Sequence, residues 1–93
     1  MTFESARNYL EVLVFKKVRE VARHHPQVAG DEGLLVDVAC IALNSLPPRY
    51  MRHQVDLAFH ISDSENRELS EKVNAAVDAA FKFVEAARRA DSH

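Results

Sequence analysis

Residues 62–89 read SDSENRELSEKVNAAVDAAFKFVEAARR, and the spacing of their apolar side chains predicts the longest helix of the chain, over about 63–89. Leu69, Val73, Ala76, Val77, Ala80, Phe81 and Val84 recur at intervals of three and four, which aligns them on one face of a 3.6-residue helix. Ser62 and Glu65 have the spacing of a capping box, with Ser62 as N-cap. Glu68 and Lys72, and Asp78 and Lys82, stand four apart with the acid first, the favourable order. Arg88 and Arg89 suit the negative end of the helix.

Working upstream, Val55, Leu57, Phe59 and Ile61 alternate with Gln54, Asp56, Ala58 and His60. Alternation of period two is a strand signature, here over about 55–61. A lone strand leaves its backbone donors and acceptors unpaired. The simplest partner is the same strand of a second copy, which predicts a homodimer; a short helix or an extended connector is the alternative. Before it, Leu34, Leu35, Val38, Ile41 and Ala42 predict a helix over about 32–44, capped by Asp31 or Gly30. Asn44 tolerates a left-handed backbone and is read as the helix stop, and Pro47-Pro48 forbids continuation. Gly30 and Gly33 read as breakers in a turn around 28–33. Leu10, Leu13, Val14, Val18, Val21 and Ala22 predict a first helix over about 4–25, ended by His24-His25-Pro26. The expected fold is mainly α, with three helices and one short strand.

The chain has 93 residues, 47% hydrophobic and 28% charged, which fits a single globular domain over 1–93. So small a domain buries a modest share of its surface, and dimerisation is one way to add core. A single cysteine excludes an internal disulfide and a multi-cysteine zinc site. The net charge of −2 disfavours a polymer of nucleic acid held on a broad basic surface. No apolar run approaches the length that spans a bilayer, and Met1-Thr2-Phe3-Glu4 lacks the basic and apolar regions of a signal peptide. The expectation is a cytoplasmic protein with no membrane partner.

No catalytic set is visible, and an enzyme is not expected. Cys40 falls beside the apolar stripe of the second predicted helix and reads as a small buried hydrophobe. His24 and His25 are adjacent on a helix, so their side chains diverge; the histidines read as ordinary surface residues, with no metal site. The informative segment is Asn44 to His53. No acidic residue occurs from Val38 to Val55, yet Arg49, Arg52 and His53 cluster there around Tyr50. Arginine forks onto a phosphate or onto the O6/N7 edge of guanine, and both arginine and tyrosine stack on bases. A compact basic and aromatic cluster in an acidic chain suits a small anionic ligand. The structural alternative has Tyr50 anchoring the loop and the arginines paired with Asp37, Asp56 or a partner chain.

The stretch from Asp37 through Ala42-Leu43-Asn44-Ser45-Leu46-Pro47-Pro48-Arg49-Tyr50 resembles the hallmark of the ComFB family, the late competence development proteins of bacteria. Asn8-Tyr9-Leu10-Glu11 matches the opening of the family's first helix, and Arg52-His53 with Asp56 and Phe59 resembles a subgroup. The likeness spans about residues 5–85. It implies a small helical homodimer. It also implies a receptor for a cyclic dinucleotide, c-di-GMP or c-di-AMP, acting on type IV pili, motility or competence, with an effector protein downstream. Some members bind zinc through cysteines just before the acidic residue. Those positions fall in Gly30 to Leu34 and hold no cysteine, so zinc is not expected. Ligand contacts are expected from Arg49, Arg52 and His53 to phosphates or guanine edges, and from Tyr50 by stacking. Asp37 suits guanine N1 and N2, or the orientation of the Arg49 loop. Asn44 suits a base, or its role as helix stop. The alternative function is a dimeric adaptor without a small-molecule ligand.

Overall fold

The computed structural model describes residues 7–48, 50–51 and 62–91. Its elements are β1 (Arg7–Asn8), α1 (Tyr9–Ala22), α2 (Pro26–Ala29), α3 (Glu32–Asn44), β2 (Tyr50–Met51) and α4 (Asp63–Asp91). The mainly helical class stands, and α3 has the expected bounds. The expected strand over 55–61 lies outside the described residues, and the single chain gives no support for its pairing across a homodimer. A different, two-residue ladder is present instead: β1 and β2 pair antiparallel, with Arg7 opposite Met51 and Asn8 opposite Tyr50.

This ladder corrects the start of the first helix. Arg7 and Asn8 are extended, and the Asn8 side chain accepts from the Leu10 N–H at 3.2 Å, so the helix opens at Tyr9. Its end is also earlier than expected. α1 stops at Ala22, where Arg23 is the C-cap and returns its Nε to the Glu20 carbonyl at 3.0 Å. Pro26 then starts α2, because a proline at the first helical position forfeits only an N–H that has no helical partner. Four residues are too few to display a period; the sequence reading ends the first helix at His24-His25-Pro26 and places a turn around 28–33, so α2 is not expected from it.

Two caps were legible. The Asp31 side chain accepts from the Leu34 N–H at 3.2 Å, and the Ser62 hydroxyl accepts from the Glu65 N–H at 3.2 Å. Gly33 is no breaker; it sits within the first turn of α3. Asn44 is not left-handed, since among the described residues no φ is positive. It is the last helical residue, and Ser45 closes α3 by donating its hydroxyl to the Ala42 carbonyl at 2.8 Å.

The core is a single cluster. α1 contributes the strict row Leu10, Val14, Val18 and Ala22; α2 contributes Val28; α3 contributes Val38, Ala39 and Ala42; α4 contributes Val73, Val77, Ala80, Phe81 and Val84. The remaining predicted stripe residues, Leu13, Val21, Leu34, Leu35, Ile41, Leu69 and Ala76, are partly buried against this cluster. Glu68 and Lys72 form no ion pair, nor do Asp78 and Lys82; all four are exposed, where such pairs gain little. No helix among the described residues is long and apolar enough to cross a membrane.

Candidate functional site

Three contacts set the direction of the helices. Leu13 and Lys17 of α1 share a surface hollow with Ser70 and Asn74 of α4. Just past the end of α1, His25 meets Glu85 further along α4. Arg88 donates from a terminal guanidinium nitrogen to the Gln27 carbonyl at 2.8 Å. α1 and α4 therefore run in the same direction. α3, which begins after α2 at the Arg88 end, runs back against both. The end of α3, at Asn44, lies with β1 and β2 at the opposite end of the bundle.

The Arg88 end is fastened by an arrangement that the sequence does not announce. The His25 ring stacks on Phe81 with centroids 4.4 Å apart and planes 12° from parallel. Its Nδ1 bonds the Glu85 carboxylate. Phe81 is fully buried, so His25 seals its outer face. His25 is thus half-buried and partnered, not the free surface histidine expected. Both partners, Phe81 and Glu85, lie on α4, far away in the chain, and no local pattern reports them.

Of the six residues expected to hold a ligand, the structure describes the surroundings of two. Asp37 and Asn44 are both exposed and both line a groove of about 380 Å³ between α3 and α4. Seven residues apart on a helix, they stand on one face, about 10.5 Å apart along the axis. Leu34 and Ile41 belong to the same row and give the groove an apolar wall. Tyr50 is placed by its backbone in β2, and the bridge to Asn8 fixes where that segment crosses the end of the bundle. Arg49, Arg52 and His53 lie outside the described residues.

The opposite wall of the groove comes from α4, through Phe83, Val84, Ala87 and Arg88. Phe83 is 63% exposed, the most open large apolar side chain described. Sequence reading missed it as a site residue. The signal was there: Phe83 falls off the stripe that runs through Ala80, Phe81 and Val84, and an aromatic off its helix's apolar face has no core to fill. Arg88 was assigned to the helix end alone.

Cys40 also corrects its reading. The thiol is exposed and lies on the rims of two hollows, the α3–α4 groove and a second, apolar one between α1 and α3. Val38, Ala39 and Ala42 take the buried face, and one step of about 100° past Ala39 turns Cys40 outward. The second hollow is walled by Phe15, Leu35, Val36, Ala39 and Leu43. Phe15 and Val36 are 43% and 57% exposed, and Val12 is exposed on the same helix as Phe15. Among the described residues no three His, Cys, Asp or Glu side chains gather as a metal site would require.

The family model described as "Late competence development protein ComFB" matches residues 7–88. Among the curated proteins and among the solved structures compared, nothing matches significantly.

Proposed function

The chain belongs to the late competence development protein ComFB family, and on that premise we propose that it is a cytoplasmic, homodimeric receptor for a cyclic dinucleotide, c-di-GMP before c-di-AMP. Its output passes to an effector protein that acts on pili, motility or competence. The observation that carries this reading is the convergence of Asp37 and Asn44 on one groove, at whose Asn44 end the chain turns through Pro47-Pro48 into the arginine-bearing segment. A mostly apolar hollow with a few polar groups, of this volume, has the character of a small-molecule site. In the proposed arrangement Arg49, Arg52 and His53 engage phosphates, Tyr50 stacks, and Asp37 and Asn44 meet base edges. The chemistry asked of the protein is recognition, with no reaction step.

The apolar hollow between α1 and α3 supports the dimer. Val12, Phe15 and Val36 are large side chains left open on neighbouring helices of a small domain, and a second copy would cover them. The same hollow also favours the second reading, an adaptor that binds protein alone. Calorimetric titration with c-di-GMP, with c-di-AMP and GTP as controls, separates the two. The receptor reading expects micromolar or tighter binding, lost in Arg49→Ala or Arg52→Ala with the fold retained. Absence of heat from a folded dimer with either cyclic dinucleotide would favour the adaptor.

A further inference from the structure

The groove has two walls, and the residues expected from the sequence stand on one of them. We propose that α4 supplies the other half of the ligand site: Phe83 stacks on a guanine base, Asp37 reads its Watson–Crick edge from across the groove, and Arg88 holds a phosphate at the far end. The inference rests on the receptor reading above and deepens it.

Three observations carry it. Phe83 lines the groove and stays out of the core, at 63% exposure. Stacking on an aromatic ring favours any base, because every base has a π-face. Asp37 lies in the same groove, and an exposed carboxylate is an acceptor only. Guanine presents two donors side by side, N1–H and N2–H, which one carboxylate accepts together; adenine has no N1–H. Asp37 therefore selects guanine over adenine, where Phe83 does not. Arg88 closes the groove at the α2 end. One of its terminal nitrogens donates to the Gln27 carbonyl, which draws the guanidinium toward the α2 end of the groove. The remaining N–H groups of the fork are the donors for phosphate. The groove is apolar along its length, with Asn44 near one end, Arg88 at the other and Asp37 between, matching a planar base flanked by polar groups.

The experiment is calorimetric titration of c-di-GMP and c-di-AMP into the unaltered protein and into Phe83→Ala, Phe83→Tyr, Asp37→Asn and Arg88→Gln, each with its melting temperature measured. Phe83→Ala is expected to weaken c-di-GMP binding about tenfold or more, while Phe83→Tyr retains it. Asp37→Asn is expected to narrow the preference for c-di-GMP over c-di-AMP. Arg88→Gln is expected to weaken both ligands alike. An unaltered protein that binds c-di-GMP, with Phe83→Ala and Asp37→Asn binding as tightly and as selectively, would overturn the α4 half-site and leave the receptor reading standing. No binding by the unaltered protein would overturn both.

Discussion

The ring of Phe81 is fully buried, with the imidazole of His25 lying on it and the Glu85 carboxylate holding the imidazole. Truncating Phe81 to alanine leaves a cavity that the helix backbones cannot close. The expected cost is about 3–5 kcal/mol, read as a lowered midpoint in urea denaturation. His25→Ala removes a stacked ring and a bond and uncovers one face of Phe81 to water without leaving an internal cavity, and about 1 kcal/mol is expected in the same measurement. The sequence showed Phe81 as a core residue because it falls on the α4 stripe. It hid the role of His25, because stacking and pairing with residues of a distant helix leave no trace in a local window. Cys40 failed for a different reason. Apolar neighbours on both sides suggested burial, but a helix that touches partners along only part of its circumference leaves the next position outward.

At the scale of the elements, the caps explain where helices begin. Asp31 restrains the first turn of α3, which carries the row from Leu34 to Asn44 that forms one wall of the groove. Asp31→Ala should cost about 1 kcal/mol. Ser62→Ala should cost less in global unfolding, because the first turns of α4 are exposed apart from the half-buried Leu69 and unfold locally. Hydrogen exchange of the amides in residues 63–70 would reveal that loss directly. Both caps were legible, since capping chemistry is written within four residues. The β1–β2 ladder was not, since it joins Arg7–Asn8 to Tyr50–Met51 and its two-residue strands show no alternation. That pairing displaced the start of α1 from 4 to Tyr9.

For the whole molecule, α4, at 29 residues and about 44 Å, is the frame. α1 lies along it in parallel and α3 returns antiparallel, so two hollows flank α3. One is mostly apolar and proposed for a second copy; the other carries the acid, amide, guanidinium and aromatic groups proposed for the ligand. Light scattering should give twice the chain mass of 10.5 kDa, and Val36→Asp should reduce it to one chain without unfolding, since Val36 is 57% exposed. Of the groove, Asp37 and Asn44 on α3 could be picked out from the sequence, whereas the α4 wall needed the fold, because only packing brings residue 83 and residue 37 to one groove. A backbone amide NMR titration with c-di-GMP tests the proposed ligand groove most directly. Shifted resonances are expected to concentrate at Asp37, Ile41 and Asn44 on α3, at Tyr50, and at Phe83 to Arg88 on α4. A spectrum that does not change, or changes confined to the α1–α4 hollow around Lys17 and Ser70, would contradict it.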